Sequence, residues 1–130
     1  MPELNQQEID FLNSVFDLVR NNKPVALASL LDQGIPVDLT DAKGDTLLIL
    51  AVYHQHEELV DLLLARGANI NALNDRGQTP LVCAVFRNNA VLTQKLLDAG
   101  ANTSLGHQTP LEVARFFGLP EMEALLDNKK

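Results

Sequence analysis

The chain has 130 residues, one domain's worth, of which 46% are apolar and 21% charged. A compact domain of this size buries roughly two thirds of its unfolded surface, which is enough for a sizeable core. Its formal charge of −7, from 17 acidic and 10 basic residues, repels phosphate backbones and argues against nucleic acid as a partner. With five Phe, one Tyr and no Trp, the core must be built mostly of Leu, Val and Ala.

The N-terminal stretch, MPELNQQEIDFLNS, lacks a basic n-region and an apolar h-region, so no signal peptide is read there. No apolar run reaches the length of a membrane span. Cys83 is the only cysteine, which excludes an internal disulfide and fits a reducing compartment. A soluble, cytoplasmic protein is expected.

Taken in chain order, the elements repeat. Residues 44–71 read GDTLLILAVYHQHEELVDLLLARGANIN, and residues 77–104 read GQTPLVCAVFRNNAVLTQKLLDAGANTS. Gly44, Thr46, Leu48, Ala51, Leu63 and Leu64 return as Gly77, Thr79, Leu81, Ala84, Leu96 and Leu97, each 33 residues on. Upstream, Val15, Leu18, Leu30, Leu31 and Gly34 fall on Leu48, Ala51, Leu63, Leu64 and Gly67 at the same offset. Downstream, Thr109-Pro110-Leu111 repeats Thr79-Pro80-Leu81 after 30 residues, three having been lost from the connection. One domain over 1–130 is expected, in units of about 5–40, 41–73, 74–104 and 105–130.

Each unit carries the same punctuation. A Gly-containing turn (DAKGD, NDRGQ, SLGHQ) is followed by Thr at a helix N-cap, where its hydroxyl satisfies an orphan N–H. Pro80 and Pro110 follow at the first helical position, where a missing N–H costs nothing. Thr109 and Glu112 form a capping-box pattern. After a first helix of about two turns and a short break comes a second helix. Pro24 and Pro120 sit in the first turn of that helix, and Gly34, Gly67 and Gly100 end it where positive φ is wanted. Leu63, Leu64, Leu96 and Leu97 should be core.

NDRGQTPLVCA and DAKGDTLLILA, with the tails LLLARGANIN and LLDAGANTS, resemble the ankyrin repeat, a turn plus two antiparallel helices every 33 residues with a T-P-L-H-x-A signature. The resemblance covers roughly residues 13–127. It implies an all-α solenoid of about four units with short turn fingers, working as a binding surface. Leu47 stands where Pro is usual, Ile49 and Val82 where the signature has His, and Thr93 and Lys95 interrupt a normally apolar helix face. The eroded outer units read as caps: ELNQQEIDFLNSVFDLVRNN as a long polar helix, PEMEALLDNKK as a charged end. A self-contained array is therefore expected, similar to small bacterial ankyrin proteins.

Candidate chemistry is thin, and no enzyme is read. His54 and His56 lack a third metal ligand. The resemblance assigns His56 to tying a turn to its neighbour, and His107 reads as a loop residue. Cys83 sits on an inward helix face with no basic neighbour to activate it. Neither a phosphate-loop nor a dinucleotide motif is present. Glu57, Glu58, Glu121 and Glu123 occupy first turns of helices, where they suit the dipole. No cofactor and no metal are expected.

The resemblance places the binding surface on the turn tips and the exposed side of the first helices. There Tyr53, Phe86 and Phe116 recur at one position and should form a ladder, with His54 and Arg87 immediately following the first two. Two readings stand: the rings pack into the junctions, or they are partly exposed and anchor a partner. The tips add Lys43, Asp45, Asp75, Arg76 and Gln78, beside Ala42 and Leu73. Arg76 and Arg87 place positive charge on an acidic protein, which suits an acidic patch or peptide. The expected function is a non-catalytic, monomeric module that binds a protein partner. The alternatives are a self-associating structural protein, and a small-ligand binder or enzyme using the groove near His54.

Overall fold

The structure, a computed structural model, describes residues 3–127. Eight helices follow one another: α1 (Gln6–Arg20), α2 (Pro24–Asp32), α3 (Leu47–Tyr53), α4 (Glu57–Ala65), α5 (Pro80–Phe86), α6 (Ala90–Asp98), α7 (Pro110–Phe116) and α8 (Pro120–Asp127). They pair as α1–α2, α3–α4, α5–α6 and α7–α8, and α1, α3, α5 and α7 pack in succession as one layer. Among the described residues no sheet forms; the β content is an isolated antiparallel bridge between Thr40 and Thr46. The architecture is the all-α solenoid that the resemblance to the ankyrin repeat implies.

The start signals act as the sequence predicts. Thr46, Thr79 and Thr109 accept from the backbone N–H of Ile49, Val82 and Glu112 at 3.0, 3.1 and 3.2 Å. Glu112 reaches back to the Thr109 N–H at 2.9 Å and completes the capping box. Those hydrogen bonds hold the Glu112 carboxyl below the usual carboxylate range.

Every break between first and second helix uses one left-handed residue. Asn22, Gln55, Asn88 and Gly118 have φ of 56°, 60°, 55° and 63°. The N–H after each returns to a carbonyl five residues back: Lys23 to Leu18, His56 to Ala51, Asn89 to Ala84 and Leu119 to Ala114. The second helices α2, α4 and α6 end in the same wrap, with Gly34, Gly67 and Gly100 at positive φ. Asn and Gly take this conformation readily; Gln55 is the side chain least suited to it.

The core runs along the stack. Leu63 and Leu96 are fully buried and Leu97 nearly so, while Leu64 is only half-buried, because the next position round α4 faces the edge of the layer. In α3 and α5, Leu47 to Val52 and Pro80 to Val85 are all buried. Thr93 does not break the apolar face: it is fully buried, and its hydroxyl donates to the Met122 thioether at 3.5 Å. The outer units differ from a purely polar cap. α1 is 15 residues long, against seven in α3, and exposes Ile9 and Phe11 in its first half, with Leu4 exposed just before it.

Candidate partner-binding face

The residues that build this face are the last of each first helix and the cap that follows it. Their inward neighbours are buried, so the final turn points out of the layer. Tyr53, Phe86 and Phe116 are 39%, 44% and 74% exposed. Of the two readings the sequence left open, the rings therefore lie at the surface and are not sealed in the junctions. The caps that follow them are His54, Arg87 and Phe117.

The rings do not form one continuous ladder. Phe117, half-exposed and outside the set picked from sequence, joins Phe86 to Phe116 by edge contacts at centroid distances of 5.5 and 5.0 Å. Tyr53 instead carries the Arg87 guanidinium over its face at 5.1 Å, a cation–π contact, and the His54 ring against its edge at 5.6 Å. Phe117 was detectable as an adjacent aromatic, but its bridging role depends on the 30-residue offset of the last unit.

The fingers stack on one another through the backbone. Asp75 N–H donates to the Lys43 carbonyl at 3.1 Å and His107 N–H to the Gly77 carbonyl at 2.7 Å. Gly77, at φ 72°, allows this approach, since a Cβ there would lie 2.8 Å from the His107 Cβ. Lys43, Asp75 and Arg76 are exposed at the tips and Gln78 is half-buried. Asp45 departs from expectation. Its side chain is buried and accepts from the Asn74 amide at 2.8 Å, so it ties two fingers together and leaves the accessible surface. Asn74 in turn accepts from the N–H groups of Arg76 and Gln78.

Two small pockets lie between fingers and first helices. One, of about 150 Å³, is lined by Arg76, Gln78, Phe86, His107 and Phe117 among others. The second, of about 200 Å³, includes Arg20, Asp41, Lys43, Tyr53, His54 and Arg76.

Burial and neighbouring charges shift two titratable groups on or beneath this face. Burial first, then the Asp45 carboxylate, pushes the Cys83 thiol up to about 12, far from a reactive thiolate. Burial, then the charges of His56, Arg20 and Arg87, hold His54 below its ordinary value. The His54 and His56 rings stack 6.1 Å apart, and His56 Nε2 donates to the Arg20 carbonyl at 3.0 Å, tying the second unit to the first. Among the described residues no three His, Cys, Asp or Glu side chains converge as metal ligands. No helix among them is long and apolar enough to cross a membrane.

Stacked helix pairs with fingers at one edge define a repeat solenoid, and the chain belongs to the ankyrin-repeat family: the family model described as Ankyrin repeats (3 copies) matches residues 15–107. The chain is also similar to an ankyrin repeat protein of Pseudomonas aeruginosa, 44% identical over 61 residues. That alignment covers 47% of this chain and 36% of the relative, so it spans little more than a third of the relative's length. Ankyrin repeats serve generally as protein–protein interaction modules, and the family is typically non-catalytic.

Proposed function

We propose that this chain is a non-catalytic binding module that acts in the cytoplasm as a single copy and holds a partner protein in its concave face. Tyr53, Phe86 and Phe116 anchor the partner, and Phe117 extends the anchor. His54, Arg87, Lys43, Asp75, Arg76 and Gln78 supply polar contacts around it. The observation that carries this reading is the recurrence of an exposed ring at one structural position in three successive units. Exposed aromatics beside arginine are the residue types that dominate interface energetics. The size of the pockets supports a macromolecular partner: about 150 and 200 Å³ fall below the roughly 300–1,000 Å³ of small-molecule sites.

The test is an affinity capture from native lysate, read by mass spectrometry. Wild type is run beside the triple variant Tyr53→Ala, Phe86→Ala, Phe116→Ala, checked by circular dichroism. A protein held by wild type and lost by the folded variant supports the assignment. The same protein held by both removes the rings from the site.

A further inference from the structure

The concave face differs in charge from the rest of the molecule. Over a chain of net charge −7, the second helices carry Glu57, Glu58, Asp61, Asp98, Glu121 and Glu123. In the lining of the groove pockets the more exposed charges are cations, although Arg20 and Arg76 lie 3.9 and 3.8 Å from Asp41 and Asp45 and Asp75 is exposed at a finger tip. Arg20, Lys43 and Arg76 line the pocket beside Tyr53, and Arg76 also lines the pocket at Phe86 and Phe117. The two carboxylates in that lining, Asp41 and Asp45, have side chains only 13% and 7% exposed. Asp41 accepts from the N–H groups of Lys43 and Asp45, and Asp45 from the Asn74 amide. Arg87 lies over Tyr53 and, like Lys43, forms no ion pair among the described residues. His54, held below its ordinary value by burial and then by His56, Arg20 and Arg87, senses the same local field. Three repeat steps of about 10 Å each give the groove a length of about 30 Å. That matches about nine extended residues at about 3.3 Å apiece.

We infer that the concave face takes an acidic, extended protein segment, with carboxylates against Lys43, Arg76 and Arg87 and an apolar side chain against Phe86 and Phe117. The inference rests on the concave-face reading above. Rings beside cations also suit single-stranded nucleic acid. A protein segment is favoured over it because ankyrin repeats serve generally as protein–protein interaction modules; charge repulsion, screened over about 8 Å, acts on both polyanions alike.

Fluorescence anisotropy on the full chain tests it with four labelled probes. They are a Glu-rich peptide of about nine residues with a central Phe, its Gln analogue, its Lys analogue, and an oligothymidine of similar length. The Glu peptide should bind, at least about tenfold more tightly than the Gln peptide, and more weakly as NaCl is raised. The double variant Lys43→Glu, Arg87→Glu changes exposed residues and keeps the fold; it should lose the Glu peptide and gain the Lys peptide. Equal binding of the Glu and Gln peptides, both lost in Phe86→Ala, Phe117→Ala, overturns the acidic partner and leaves the groove reading intact. Peptide binding indifferent to that variant sinks the groove reading itself. Tighter binding of oligothymidine, or no binding of the Glu peptide, also overturns the acidic partner. Should the phenylalanine variant unfold, the charge-reversal pair decides.

Discussion

The front and the back of this solenoid use the same residue types for different ends. On the back, cations meet carboxylates of the neighbouring unit: Arg66 pairs with Asp32 at 2.7 Å and Lys95 with Asp61 at 3.1 Å. Both pairs span 34 residues, one repeat and one position, so they bind unit to unit along the stack. On the front, Arg87 and Lys43 form no ion pair among the described residues, and the carboxylates Asp41 and Asp45 are turned into the fingers. Four rings stand exposed beside them. On the back, Arg66 and Lys95 hold unit to unit; on the front, Arg20 and Arg76 pair with Asp41 and Asp45 while Lys43 and Arg87 are left available.

That contrast can be broken in order of expected effect. Leu63→Ala, in the fully buried part of α4, should cost about 2–5 kcal/mol through the cavity it leaves. Coupling between repeats should carry that loss through the short array. The front triple variant Tyr53→Ala, Phe86→Ala, Phe116→Ala should cost less than Leu63→Ala alone. Urea denaturation midpoints compare them, and a larger loss in the triple variant would make the rings core. Thr79→Ala removes a buried N-cap and should cost about 1 kcal/mol by the same measurement.

The pH dependence sharpens the contrast on the front. His54 is held below its ordinary value of 6.5 by burial and then by electrostatic repulsion from His56, Arg20 and Arg87. The folded chain therefore binds that proton less readily than the unfolded chain does. Its contribution to stability is complete above about pH 6.5 and is lost as pH falls through the folded value. Denaturation midpoints at two pH values either side of that point should differ less in His54→Gln than in wild type; an unchanged difference would remove His54 as the source. The smallest effect belongs to the back. Lys95→Ala should cost no more than about 0.5 kcal/mol and leave partner capture unaltered.

The repeat made much of the fold legible. Thr46, Thr79 and Thr109 announce caps, Gly34, Gly67 and Gly100 announce stops, and one period fixes which leucines meet. Leu64 and Thr93 escaped because burial depends on which unit stands opposite: α4 leaves Leu64 at an edge, while α8 brings Met122 to Thr93. The left-handed breaks were signalled by Asn22, Asn88 and Gly118 but hidden by Gln55, a residue rarely chosen for that geometry. The candidate face was legible less evenly. Exposure of the rings follows from where a short helix ends. Asp45 was misplaced because its direction is set by Asn74 in the next finger, 29 residues away. No local pattern reports such a contact.

The central claim, that the front binds and the back does not, is tested most directly by site-specific photo-crosslinking. A photoreactive phenylalanine analogue replaces Phe86 on the front or Val91, half-exposed on the back, and each protein is irradiated in native lysate. The account predicts one shared partner crosslinked from position 86 and nothing specific from position 91. A partner captured from position 91 and absent from position 86 would contradict it.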